Sequence, residues 1–134
     1  MNSNRPYLIR ALYEWILDNN CTPYIVVDIN LPSVNVPDGF AENGQIVLNL
    51  APAAIKHLLM DNEAISFEGR FAGVVQRPYV PIAAVKAIYA RENGYGMFFE
   101  DDPLLTEENN EPDDTPPSPD TPTPRKKPSL KIVK

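Results

Sequence analysis

The apolar residues of this chain change their period once, shortly after residue 20. Over residues 5–20 they recur at helical spacing, with Leu8, Leu12, Trp15 and Ile16 at i, i+4, i+7 and i+8. Pro6 suits the first turn of such a helix, where its missing amide leaves no bond unmade. Ile9, Tyr13 and Leu17 add a second apolar flank, and Arg10, Glu14 and Asp18 are left as the polar strip. A helix apolar over more than half its circumference touches two things. One is its own core; the other is either more of that core or a partner subunit.

Beyond Pro23 the period shortens to two. Residues 24–29 are β-branched and bounded by Pro23 and Pro32, so they read as a strand. Asn43 and Gly44 give a two-residue hairpin signal ahead of a second strand over 45–50. Residues 51–58 read as one or two helical turns. Asp61 and Asn62 then turn the chain into a strand over 64–73, and 74–79 pair back on it as a hairpin. Residues 81–90 suit a turn of helix followed by a strand, and Asn93 with Gly94 makes another tight turn before Met97, Phe98 and Phe99. One helix followed by short strands and tight turns predicts an α+β, mostly β body: a small barrel or sandwich.

Composition breaks after Glu100. Residues 101–124 hold eight acids, seven prolines and no cation, with Leu104 and Leu105 as the only large apolar pair. Such a segment buries too little to offset its ordering entropy and is expected to be disordered. Residues 125–134 reverse the charge with five cations and add Leu130, Ile132 and Val133. A basic, apolar decapeptide on a leash reads as a docking motif. The expected organisation is a body over 1–100, a linker over 101–124 and a docking tip over 125–134.

Charge narrows the function classes. The net charge of −6 divides into −3 for residues 1–100, −8 for the linker and +5 for the tip. An acidic body argues against nucleic acid as the partner, because phosphates call for a basic face. No stretch has a signal-peptide plan and no apolar run approaches the ~20 residues that span a bilayer, so a soluble, cytoplasmic protein is expected.

Catalytic chemistry finds little to work with. Cys21 is the sole cysteine and His57 the sole histidine, which excludes a disulfide framework and a Cys-rich metal site. Cys21 has no positioned base at hand and reads as a small buried hydrophobe. Residues 69–73 lack the ending of a phosphate loop. Neither an enzymatic activity nor a cofactor is expected.

The strand around Gly69 carries more. Alternation puts Ile65, Phe67, Gly69 and Phe71 on one face. Two phenylalanines flanking a glycine either make a notch for another backbone or mark a bulge with both rings in the core. In the first reading an extended peptide is held by main-chain hydrogen bonds and side-chain pockets.

At this point several motifs, in order, resemble one family. The run Arg-Pro-Tyr-Leu-Ile-Arg-Ala-Leu-Tyr-Glu-Trp-Ile-Leu-Asp-Asn at 5–19 resembles the opening helix of SspB, the stringent starvation protein B family. So do Gly-Gln-Ile-Val-Leu-Asn at 44–49 with Ala51 and Pro52, Arg70 and Phe71 with Gly73, and Ile-Tyr-Ala-Arg-Glu-Asn-Gly at 88–94. The end, Pro-Ser-Leu-Lys-Ile-Val-Lys at 128–134, resembles the family's terminal motif.

The resemblance implies a homodimeric adaptor for the protease ClpXP. It would bind ssrA-tagged polypeptides from stalled translation and hand them to the ClpX unfoldase, through a β-rich body related to the Sm-like barrel. The tip residues Pro128, Leu130, Lys131, Ile132, Val133 and Lys134 would dock on the N-terminal zinc-binding domain of ClpX. Strand alternation and the family's groove together nominate Val47, Asn49, Phe67, Gly69, Arg70, Phe71, Ala72, Gly73 and Val74 as tag-binding residues, with Arg70 or Arg77 meeting an acidic tag side chain. Ile9, Leu12, Tyr13 and Ile16 are the expected dimer contacts. As a flexible chain, ~24 linker residues span about 25–30 Å and hold a delivered substrate near the millimolar scale. The competing reading is an RNA-associated Sm-like binder whose basic tip contacts phosphate.

Overall fold

The computed structural model describes residues 1–106. Helix α1 spans Arg5–Asp18, with Pro6 in its first turn as expected. Eight strands follow: β1 Pro23–Asp28, β2 Gln45–Asn49, β3 Ile55–Met60, β4 Ala64–Phe71, β5 Val74–Gln76, β6 Tyr79–Pro81, β7 Val85–Ala90 and β8 Gly96–Phe98. A 3₁₀ turn at Ile82–Ala84 leads into β7, as the pattern at 81–90 predicts. One sheet has the order β2-β1-β7-β8; in the other, β4 pairs with β3 along one edge and with β5 and β6 along the other. Every pairing is antiparallel. The expected α+β, mostly β class, a helix followed by a small two-sheet body, is what the chain adopts.

Ile25, Val27, Ile46 and Leu48 from the first sheet, and Ile65, Phe67 and Val80 from the second, are buried. Each contributes about 1.5–3 kcal/mol of gross burial. Helix α1 adds Pro6, Ile9 and Ile16, with Tyr13 half-buried between them. The buried stripe is therefore rotated from the expected one, and Trp15 is 46 % exposed. Two side-chain anchors fix that rotation. Arg5 lies over the Phe99 ring at 4.7 Å and donates to the Glu100 carbonyl, while Arg10 donates to the Met60 carbonyl at 3.3 Å and to Asn62 Oδ1 at 2.9 Å. Burial pulls the Arg5 pKa down, and the nearby Asp102 and Asp101 carboxylates oppose that shift.

Two local expectations change. Residues 51–58 are not helical: a turn closed by the Ala54 amide on the Ala51 carbonyl (2.8 Å) leads straight into β3. Pairing with β4 gives this segment backbone partners that an isolated helical turn cannot nucleate alone. The strand over 64–73 stops at Phe71, because Ala72 and Gly73, at φ 54° and 82°, are the two-residue turn into β5. A short helical turn, α2, spans Pro103–Thr106. The remainder of the linker and the whole docking tip lie outside the described residues.

Asn43 and Gly44 make the expected tight turn, at φ 56° and 79°. Its outer arm is a single bridge, with the Glu42 amide on the Gln45 carbonyl (2.8 Å) and the Gln45 amide on the Glu42 carbonyl (3.0 Å). Upstream, Asn35 exchanges backbone bonds with Tyr79 of β6 at 2.9 and 2.8 Å. The loop between β1 and β2 is thus fastened to both sheets. Gly96 has a steric reason: a β-carbon there would sit 2.0 Å from the Ile88 carbonyl oxygen and break the β7–β8 pairing.

Candidate peptide groove

Strand β2 is the edge of its sheet. The Gly44 carbonyl accepts from Ile29 at 3.0 Å and the Leu50 amide donates to Pro23 at 2.9 Å, so the even-numbered positions of β2 face β1. Antiparallel alternation then turns the main-chain groups of Gln45, Val47 and Asn49 toward the open edge. Gln45 is taken by Glu42. Val47, 50 % exposed, presents its main chain beyond that bridge, and Asn49 Oδ1 accepts from the Ala51 amide at 2.8 Å. An edge strand with free amides and carbonyls is a template for one more strand.

On the second sheet the structure brings Phe67, Gly69 and Phe71 together. A β-carbon on Gly69 would lie 3.4 Å from Phe71 Cε1 and 3.6 Å from both Phe67 Cε2 and Ile55 Cγ2. The space over Gly69 is therefore occupied by rings, with Phe67 buried and Phe71 half-buried. Phe40, from the loop fastened to both sheets, sets its ring edge-on against Phe71 (centroids 5.7 Å apart, planes at 65°). Ile55 and Phe40 were not among the sequence candidates. Ile55 was hidden by the helical reading of its segment; a phenylalanine following Gly39 in a loop gave no periodic signal.

The remaining candidates divide. Arg70 is exposed and donates to the Gly73 carbonyl at 3.5 Å, whereas Arg77 pairs with Glu68 at 3.3 Å. Ala72 and Gly73 sit at the hairpin tip, and Val74 beside them is 55 % exposed. Val47 and Asn49 lie on the other sheet; the loop bearing Phe40 and Glu42 connects the two halves of the candidate set. Among the described residues no group of three or more His, Cys, Asp or Glu is placed to hold a metal, and no helix is long and apolar enough to cross a membrane.

With this geometry in place the chain can be compared with known proteins. The sequence model of the family described as stringent starvation protein B matches residues 3–134. A stringent starvation protein B homolog of Haemophilus influenzae is 50 % identical over 109 residues, covering 81 % of this chain and 73 % of the relative. The chain belongs to the stringent starvation protein B family. The family match runs through α1, both sheets and the terminal motif at 128–134.

Within that SspB framework, α1 divides its residues differently from expectation. Ile9 and Ile16, expected at a dimer contact, are 1 % and 2 % exposed and belong to this chain's own core. Tyr13 donates to the Leu50 carbonyl at 2.9 Å, and burial raises its pKa. Leu12 is half-buried beside Tyr7, Ala11 and Trp15, which follow one another at i, i+4 and i+8 and are all exposed.

Proposed function

We propose that the protein is a non-enzymatic adaptor for ClpXP that binds ssrA-tagged polypeptides along the open edge of β2 and delivers them through its C-terminal tip to the zinc-binding domain of ClpX. The observation that carries this reading is the family match over residues 3–134, which takes in both the groove-bearing body and the terminal motif. The edge of β2 supports it physically, since main-chain pairing holds an extended tag whatever its source protein. Phe67, Gly69 and Phe71 supply the apolar wall, and exposed Arg70 is the cation available to an acidic tag residue. Arg77, already paired with Glu68, is the weaker candidate.

For the tip, Leu130, Ile132 and Val133 supply apolar contact at ~1.5–3 kcal/mol gross each. Pro128 shapes the approach, and Lys131 and Lys134 steer it. Self-association uses the exposed stripe of α1, Tyr7, Ala11 and Trp15 with Leu12 on its flank. Two bodies then present two grooves and two tips, which raises the avidity of delivery.

The RNA reading has one observation in its favour. Tyr24, Tyr89 and Phe98 form an aromatic row across β1, β7 and β8, with Tyr89 and Phe98 stacked at 6.4 Å. Bases stack on such rows. Yet Lys86 on β7 pairs with Asp101 at 3.1 Å, and Arg91 just beyond it with Glu92 at 3.3 Å, so phosphate has no free cation in these positions. Titration of a labelled ssrA-type peptide, beside a labelled single-stranded RNA at two salt concentrations, separates the readings. Saturable peptide binding with weak RNA binding supports the adaptor; salt-steep RNA binding without peptide binding refutes it.

A further inference from the structure

Phe40 stands where the two halves of the groove meet. The Glu42–Gln45 bridge starts an antiparallel ladder along the open edge of β2. Continued by two residues, that register would set Phe40 opposite Val47. The chain does not continue it. At Gly39 the backbone takes φ +89°, and Phe40 leaves the β2 edge to lie against Phe71 of β4.

The fastening around Phe40 is uneven. Asn35 is held by Tyr79 on one side, Pro37 is buried, and Glu42 is held by Gln45 on the other. Residues 38–41 lie between these fastenings. Nothing lies within 4 Å of a β-carbon built on Gly39, so the pivot has room, and Phe40 itself is 45 % exposed. Phe71, in contrast, is half-buried, with Gly69 beneath its edge and Phe40 against its ring.

We propose that Phe40 is a displaceable aromatic gate: it covers Phe71 in the unliganded chain and swings away, on Gly39, when a peptide strand pairs with Val47 and Asn49. This rests on the reading of the body as a tag-binding module. The ring occupies apolar surface that the peptide needs, and it does so from the position next along the β2 edge. Peptide binding must then break the Phe40–Phe71 contact. An edge-to-face pair is worth about 0.5–1.5 kcal/mol, which corresponds to roughly a 2- to 10-fold loss of affinity imposed by the gate. Gly39 matters because a side chain at this φ is strained, which would stiffen the pivot.

The test compares full-length wild type, Phe40→Ala and Phe40→Leu for binding of a labelled ssrA-type peptide, with association and dissociation rates measured separately. Removal of the ring is expected to tighten binding about 2- to 10-fold through faster association, with Phe40→Leu falling between. In parallel, the Phe71 ring resonances of unliganded wild type should move toward those of Phe40→Ala when peptide is added. Equal or weaker binding by both variants, or Phe71 resonances that keep the Phe40 ring shift in the complex, overturns the gate. If no form of the chain, wild type included, binds the peptide, the adaptor reading falls and the gate with it. Binding by wild type that the variants do not tighten removes the gate alone.

Discussion

Phe71 folds its ring edge over Gly69, leaving 3.4 Å between Cε1 and the place a β-carbon would occupy. That distance is ordinary contact, so alanine fits at 69 and a longer side chain does not. Gly69→Ala is expected to be neutral to about 1 kcal/mol stabilising, since it also restricts the unfolded chain. Gly69→Leu must push Phe71 aside and should weaken peptide binding more than about tenfold, with the body still folded. Peptide titration beside a thermal melt checks both. Global unfolding of Gly69→Leu would instead make Phe71 a core residue alone.

The turn at Ala72 and Gly73 has positive φ at both positions, the requirement of a type I′ hairpin, yet alanine holds the first. Ala72→Asn is therefore expected to stabilise the body by about 1 kcal/mol, or ~4–8 °C in Tm. Urea unfolding measures it. An unchanged midpoint would contradict the strain argument, and a loss of peptide binding would put the hairpin tip on the groove.

Much of this architecture was legible because local signals agreed with the final pairing. The helix at Arg5–Asp18, the strand at Pro23–Asp28 and the turn at Asn43 and Gly44 each combine the right period with the right breaker. Strand β3 was not legible. His57 sits at φ 58° where the register with β4 shifts between Lys56 and Leu59, and such a bulge erases the two-residue alternation. The rotation of α1 was hidden for another reason. Hydrophobicity favoured Leu8 and Trp15, whereas the orientation is set by Arg5 on Phe99 and Arg10 on the β3–β4 turn, polar contacts that periodicity does not register. Near the candidate groove, the shared face of Phe67, Gly69 and Phe71 and the strand β2 could be read from sequence. The placement of Phe40 could not, because it depends on where a loop crosses between sheets.

Glu92 pins the end of β7 to the start of β1. Its carboxylate accepts from the Thr22 amide at 2.8 Å and the Thr22 hydroxyl at 2.7 Å, which lowers its pKa from 4.5 to about 2. A carboxyl lowered in the folded state stabilises it above the unfolded value, and that contribution disappears as pH falls from about 4.5 toward 2. Glu92→Gln should therefore be less stable than wild type at neutral pH, with the gap closing through that window. Denaturant midpoints at pH 7, 4 and 2.5 test the sign; a gap that widens on acidification contradicts it.

Helix α1 offers a separation of core from surface. Ile9→Ala should cost about 2–5 kcal/mol, because it empties a fully buried site. Trp15→Lys, on the exposed stripe, should change monomer stability by no more than about 0.5 kcal/mol while breaking self-association. Sedimentation equilibrium with parallel denaturation distinguishes them. A Trp15→Lys chain that self-associates like wild type would move the contact off this helix face.

The proposed division between a cargo-holding body and a protease-finding tip is tested most directly by cutting between them. Asp102 is the place to cut, since Ser3 donates to its carboxylate at 2.5 Å, an anchor that a body ending at Glu100 would lose. Degradation of an ssrA-tagged reporter by ClpXP is measured with the full chain and with residues 1–102, alongside peptide affinity. The expected result is equal peptide affinity with loss of enhanced degradation in the truncated chain. Equal enhancement by both would contradict it.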